Sequence, residues 1–325
     1  MRLLIVTQAV DIEDSFLGFF VRWIEEFAKH VERIEVICLK EGKHSLPKNV
    51  RVHSLGKERG AASRATYALR FLKLVWKLRH NYDTVFVHMN PEYIMLGGLF
   101  WRLWGKSIAL WYMHKSVNLK LRIAELFANN IFTASKESFR LESKKVRSMG
   151  HGIDTEVFSP DSRIVRGTAV LSVGRLSPIK RHDLIIRAAE HFPYNVWIAG
   201  DGPEHPRLEE LSTRLSLAKR VQFLGPQTQA QLPDVYRQAG VFVHTSETGS
   251  LDKVVLEALA CGLPVITTAA SLADLPVTVV SPTPGGIGEG VLAMRQADTQ
   301  SLVAYVREQH SLTRLIPNIL KELAP

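Results

Sequence analysis

Three charged residues in the second half of the sequence have types and spacing that suit an anionic ligand. In "LSVGRLSPIKRHDLIIRAAE", Gly174 and Arg175 close an aliphatic run that reads as a strand, and Lys180 stands just before a helical stretch. A strand opening into a helix N-terminus presents free N–H groups and a partial positive charge. An arginine fork and a compact ammonium beside it suit a diphosphate, although solvated surface cations have the same appearance in sequence. The third residue is Glu257 in "SETGSLDKVVLEALACGLPVITT", an acid inside an apolar helix where an unpaired carboxylate is costly. It is either a solvated surface residue or one that meets a ligand.

The elements that must position these residues follow an alternation of short aliphatic runs and helical stretches. "LLIVTQ", "IEVICL", "VRVHSL", "TVFVHM", "SIALWYM" and "NIFTAS" read as strands of a first half; "AVLSVGRL", "NVWIAGDG", "VQFLG", "VFVHTS" and "PVITTA" read as strands of a second. Apolar strands separated by helices imply parallel sheets covered on both faces. The fold class is therefore α/β, with two doubly wound domains facing a central cleft and ligands at the carboxyl ends of the strands. "FSPDSRIVRG" suits a linker. The expected division is residues 1–158, residues 159–300, and a helical segment over 301–325, broken near Pro317, that is a candidate to pack back on the first domain.

Bulk properties narrow the function. The 325 residues suffice for two domains, and 46% hydrophobic with 22% charged residues excludes wholesale disorder. The excess of 41 Lys and Arg over 32 Asp and Glu, a net +9, favours an anionic partner. No nucleic-acid-binding module is recognisable, so nucleic acid is not expected. Only Cys38 and Cys261 occur, each in an apolar run, which suits a reducing compartment. "MRLLIVTQAV" reads as a first strand rather than a signal peptide, and Arg102 and Lys106 interrupt the most apolar stretch, so a cytoplasmic protein is expected. Neither G-x-G-x-x-G after the first strand nor a P-loop is present, which removes the usual signals of dinucleotide redox chemistry and P-loop phosphate transfer. "GDGPE" (200–204) allows close backbone approach to a ligand, but a plain turn explains it as well.

"SVGRLSPIKRHDLIIRAAE", "IAGDGPE", "VQFLGPQTQAQLPDVYRQAGVFVHTSE" and "KVVLEALACGLPVITT" resemble, in order and spacing, the retaining glycosyltransferases of family 4. "GHGIDTEVFSP" is similar to the stretch preceding the nucleotide-binding domain of that family, and the resemblance runs from about residue 133 to 268. It implies a GT-B architecture, with a nucleotide-sugar donor, UDP- or GDP-linked, held mainly by the second domain and a glycan or lipid-linked acceptor held by the first. It further implies that Arg175 and Lys180 hold the donor diphosphate and that Glu257, the second acid of the E-x7-E motif, bonds the ribose. The first acid of that motif is replaced by Gly249. Glu247 lies two residues too early, and Asp252 and Lys253 stand where the family has Gly and an aliphatic residue. Backbone groups of Gly249, Ser250, Leu251, Asp252 and Lys253 are candidates to approach the sugar or phosphate; the Lys253 side chain suits phosphate or water equally.

In the first half, the resemblance makes His114, after "ALWYM", the candidate to approach the donor sugar, with Lys115 beside it. Asp11, Glu13 and Asp14, with Gly18, follow the first strand, where acids can bond acceptor hydroxyls or cap the next helix. His151 and Asp154 in "HGID" read as a turn. Residues 64–79 carry Arg64, Arg70, Lys73, Lys77 and Arg79 among Leu72, Val75, Trp76 and Leu78, a pattern that suits peripheral contact with an anionic membrane or an ordinary amphipathic helix. Sugar transfer in polysaccharide biosynthesis, catalysed by Arg175, Lys180, His114 and Glu247 without metal or other cofactor, is the leading expectation. A non-catalytic nucleotide-sugar-binding protein and a sugar-nucleotide epimerase of the same shape are the alternatives.

Overall fold

The computed structural model describes residues 1–14, 16–114, 116–135, 138–294 and 298–323. The chain forms two compact units, Met1–Gly152 with Leu312–Pro325, and Ile153–Ser311.

Unit 1 is built on seven parallel strands: β1 (Arg2–Val10), β2 (Arg33–Glu41), β3 (Val50–Ser54), β4 (Thr84–His88), β5 (Ser107–Trp111), β6 (Asn130–Thr133) and β7 (Val146–Ser148). Their order is β3-β2-β1-β4-β5-β6-β7. Leu3 to Val6 are all 0% exposed, because side chains alternate between two covered faces. Leu3 and Ile5 meet α1 (Phe19–His30) and the C-terminal α11 (Leu312–Leu323). Leu4 and Val6 meet α2 (Arg64–Leu78), α3 (Pro91–Leu103) and α4 (Leu119–Phe127).

Unit 2 repeats the plan with six parallel strands: β8 (Val170–Val173), β9 (Val196–Ala199), β10 (Val221–Gly225), β11 (Val241–His244), β12 (Val265–Thr267) and β13 (Thr278–Val279). Their order is β10-β9-β8-β11-β12-β13. One face packs α5 (His182–Ala188), α6 (His205–Arg214) and α9 (Pro284–Ala293). The other packs α7 (Leu232–Gln238), α8 (Lys253–Ala260) and α10 (Thr299–Gln309). Strand order reverses at β1/β4 in unit 1 and at β8/β11 in unit 2, the crevices where open α/β sheets bind ligands.

All eleven expected strands are present. The two additional ones, β7 and β13, have three and two residues, too short to carry a readable apolar pattern. The passage between units falls at Gly152–Ile153 rather than at the expected linker: Phe158 is buried in unit 2, and Arg237 donates to the carbonyls of Val157 and Ser159. The expected break near Pro317 is absent. The helical run instead breaks at His310–Ser311, and Pro317 lies inside α11, where burial of Leu315, Ile316, Ile319, Leu320 and Leu323 offsets the lost hydrogen bond.

Candidate functional site

The loop leaving β8 is held by its neighbour. Gly174 N–H donates to Ala199 O (3.0 Å), Leu176 N–H to Asp201 O (2.9 Å) and Glu204 N–H to Leu176 O (3.1 Å). A Cβ at Gly200 would stand 1.9 Å from the Gly174 carbonyl oxygen, and one at Gly202 2.3 Å from that of Leu176. The glycines of "GDGPE" therefore allow two loops to touch, and what they position is Arg175. Its side chain is exposed and, among the described residues, makes no hydrogen bond or ion pair.

Lys180 has a partner that the sequence reading did not assign. It ends a one-turn 3-10 helix, Pro178–Lys180, and its Nζ lies 2.5 Å from Asp252 Oδ2. His244, at the carboxyl end of β11, places Nε2 2.8 Å from the same oxygen and Nδ1 3.0 Å from Thr267 Oγ1. Burial opposes charge on Asp252, but the His244 hydrogen bond and the Lys180 ammonium hold its carboxyl well below the usual carboxylate range. Asp252 is the N-cap residue of α8 yet makes no capping hydrogen bond, its carboxylate being committed to Lys180 and His244. Thr245 Oγ1 donates to the carbonyls of Lys180 and Arg181, and Glu247 N–H donates to Ile179 O, so the two loops are knitted together.

Arg181, in a left-handed conformation (φ 51°), pairs with Asp183 and with Glu247, so the candidate sugar-contacting carboxylate has a cation on it. His182 is buried with Nδ1 3.2 Å from Ser172 Oγ; its Nε2, beside the Arg175 backbone, makes no hydrogen bond of normal geometry. Burial pushes its pKa down to about 4. His182 and His244 were not singled out from sequence; the signal available was a histidine at a strand end and another at a loop end, within reach of the same crevice.

Glu257 lies one turn inside α8 and is 2% exposed, which excludes the solvated reading. Tyr236 donates to Oε2 at 3.1 Å, and Lys253 Nζ lies 2.8 Å from Oε1 as an ion pair. Lys253 also reaches Gln229 Oε1 at 3.3 Å. Burial and the Glu257 charge together raise the Tyr236 pKa, keeping its hydroxyl a donor. Between these residues and Glu247 runs the turn of Gly249, Ser250 and Leu251; Gly249 has φ 58° and Leu251 is buried.

In unit 1 the acidic candidates are committed locally. Asp11 is buried and accepts from the N–H groups of Glu13 and Lys43 and from Lys40 Nζ. Asp14 Oδ1 accepts from the N–H groups of Phe16 and Leu17, at the entry to α1 that Gly18 caps. Their carboxylates hold the β1–α1 loop together rather than cap α1, whose N-cap Gly18 receives no side-chain hydrogen bond. His114 is exposed, its ring edge-on to Tyr112 at 5.4 Å; Lys115 lies outside the described residues.

A cavity of about 490 Å3 opens instead at the carboxyl ends of β1, β2 and β4. Gln8 and Asn90, hydrogen-bonded at 2.7 Å, form part of its lining with Arg64, Tyr67 and Tyr93, and the Lys120–Glu92 ion pair (2.8 Å) stands at its edge. None of these was singled out as an acceptor-side residue. A second cavity, about 560 Å3, lies at the amino ends of β8, β11 and β12 in unit 2, away from Arg175 and Lys180. Among the described residues, no three His, Cys, Asp or Glu side chains are grouped to hold a metal ion.

Residues 155–278, which contain this constellation, match the family profile "Glycosyl transferases group 1". A D-inositol 3-phosphate glycosyltransferase of Mycobacteroides abscessus is 40% identical over 143 residues, 39% of this chain and 32% of the relative. The protein of the same name from Mycolicibacterium smegmatis is 37% identical over 179 residues, 50% of this chain and 40% of the relative. The aligned region thus spans well under half the length of either relative. The structure of HepE from Anabaena, in complex with UDP, superposes with a TM-score of 0.77 over 99% of both chains at 18% identity. The seven- and six-stranded parallel sheets and this likeness identify the fold as GT-B.

Proposed function

We propose that this protein is a retaining glycosyltransferase, moving a hexose from a nucleoside-diphosphate sugar to a glycan or lipid-linked acceptor. The observation that carries the reading is Arg175, a guanidinium without a hydrogen-bond or ion-pair partner among the described residues, held by the glycine-based loop contact at the carboxyl end of β8, within the segment that matches group 1 glycosyl transferases. Arg175 and Lys180 supply the positive charge that stabilises the departing diphosphate, and no metal is required for that step. Glu257, polarised by Tyr236 and Lys253, is the ribose acceptor of hydrogen bonds, and the turn at Gly249–Leu251 lies on the sugar side. Unit 1 takes the acceptor, at its β1/β4 crevice. The named relatives act on an inositol phosphate, and HepE binds UDP, which supports an anionic or polyol acceptor and a UDP donor.

The second reading, a nucleotide-sugar-binding protein without turnover, is favoured by one observation: Lys180 already carries a carboxylate, Asp252. The separating experiment is calorimetry with UDP and GDP followed by transfer assays from the sugar nucleotides that bind, with and without EDTA. Binding with transfer that survives EDTA supports the proposal. Binding without transfer supports the second reading, and no binding of either nucleotide refutes both.

A further inference from the structure

The face that α2, α3 and α4 turn to water is unusual for this chain. Fourteen large hydrophobic residues are exposed among the described residues, and seven of them lie on these three helices. Six are more than half exposed: Leu69 and Trp76 on α2, Leu99 and Leu103 on α3, Leu119 and Leu126 on α4. Spacings of seven, four and seven residues put each pair on one side of its helix. The inner sides of all three helices pack on the same sheet face, so their outer sides share a surface. Trp76 and Trp104 meet at 5.6 Å, joining α2 to the end of α3, and Arg79 lies over the Trp76 ring at 4.7 Å.

The same stretch concentrates the charge. Between Arg64 and Phe127 stand ten Lys and Arg against three Asp and Glu, which accounts for +7 of the chain's net +9. Lys73, Lys77, Arg102 and Arg122 are exposed and make no side-chain hydrogen bond or ion pair among the described residues. A polyanion in water would use these cations but leave the leucines wet, and a second copy would bring like charge against like charge. An anionic bilayer surface satisfies both, with leucine and tryptophan entering the headgroup boundary while lysine and arginine meet lipid phosphates.

We infer that unit 1 docks on an anionic membrane through the outer sides of α2, α3 and α4. No helix among the described residues is long and apolar enough to cross a bilayer. The inference does not depend on sugar transfer and is tested without any donor. The full chain is mixed with vesicles of phosphatidylcholine alone and of phosphatidylcholine with phosphatidylglycerol, and bound protein is separated by flotation.

The expected result is flotation with anionic vesicles only, weakened by salt. Trp76→Ser with Leu103→Ser, and separately Lys73→Glu with Lys77→Glu, should each lower the partition coefficient by about tenfold or more. Leu292→Ser, an exposed leucine of unit 2, should leave it unchanged. Lys73, Lys77, Leu103 and Leu292 face water, so their substitutions should leave the melting temperature unchanged. Trp76→Ser also gives up the Trp104 and Arg79 contacts, so its melting curve is recorded beside the flotation, and the lysine double variant carries the test if it melts early. Three results would overturn the inference: no flotation of the parent with anionic vesicles, parental flotation of both double variants, or a lipid-free dimer that Trp76→Ser with Leu103→Ser dissolves.

Discussion

Lys180 Nζ and His244 Nε2 converge on a single oxygen of Asp252, Oδ2, at 2.5 and 2.8 Å. A diphosphate arriving at Lys180 must therefore compete with a carboxylate already there. Asp252→Asn keeps the shape, removes the competing charge and frees Lys180 for the ligand. We expect UDP or GDP to bind this variant roughly threefold to thirtyfold more tightly, the range of a partly buried ion pair given up. Isothermal calorimetry checks it; unchanged or weakened affinity means that Lys180 does not meet the diphosphate. Because the Asp252 carboxyl is held below its usual range, its stabilising contribution is complete above about pH 4 and lost as pH falls further.

Arg175→Ala and Lys180→Ala should separate by their effect on the fold. Arg175 has no side-chain partner among the described residues, so its removal should leave the melting temperature unchanged while weakening nucleotide-diphosphate binding by about tenfold to a hundredfold. Lys180→Ala should weaken binding and also lower the melting temperature, since it leaves the partly buried Asp252 with His244 alone. Equal nucleotide affinity in the parent and both variants removes them from the site.

Two buried histidines, His88 and His182, and the half-buried His310 set an acid limit on stability. Burial lowers the pKa of His88 to about 3 and those of His182 and His310 to about 4. Each stays neutral when folded and charges when unfolded, so the unfolded chain binds more protons below about pH 6.5, and stability falls there. Each should cost about 1.4 kcal/mol per pH unit down to its folded pKa. His88 is stacked on Phe20 at 3.9 Å and has Thr7 Oγ1 3.3 Å from Nδ1. Urea midpoints measured from pH 7 to pH 4 should fall less steeply for His88→Gln than for the parent, although His88→Gln is the less stable at pH 7. Parallel slopes would show that His88 does not carry this dependence.

The alternation of aliphatic and helical runs was enough to read both sheets, because parallel strands covered on two faces are apolar throughout, as Leu3 to Val6 show. The partners of charged side chains were not readable in the same way. Lys180 and Asp252 are 72 residues apart, and their meeting depends on β8 lying beside β11 in the sheet. Asp11 and Asp14 offered two equal roles in sequence, and only the positions of Lys40, Lys43 and the backbone of Phe16 and Leu17 show how they are used. The unit 1 cavity has no contiguous signature in the sequence, because Gln8 on β1, Tyr67 on α2 and Asn90 just after β4 are brought together only by the reversal of strand order. The ion pair of Glu257 with Lys253 is a third outcome beside the solvated and ligand-facing roles weighed from sequence; its i, i+4 spacing carried the signal, whereas Tyr236, on another helix, left none.

Glu257 and Glu247 should answer differently to loss of charge, and the contrast tests which of them meets the sugar. Glu257→Gln retains an acceptor for Tyr236 and gives up the ion pair with Lys253, so it should fold, with nucleotide affinity lowered roughly tenfold through the ribose. Glu257→Ala should cost about 3 kcal/mol of stability or more, because it leaves the Lys253 ammonium and the Tyr236 hydroxyl without their acid. Glu247→Gln instead leaves the Arg181 guanidinium paired with Asp183 alone, and the lost carboxylate adds net positive charge near the diphosphate loop. Its nucleotide affinity should therefore be equal to the parent's or higher. If the sugar lies beyond the diphosphate and against Glu247, transfer should nonetheless fall by tenfold or more, roughly the loss of one charge-assisted hydrogen bond made in the transition state. Raised affinity with lowered turnover is a combination that a merely structural Arg181–Glu247 pair would not produce. Parental turnover in Glu247→Gln would leave the sugar to the backbone of the Gly249–Leu251 turn, where no side-chain substitution can remove it.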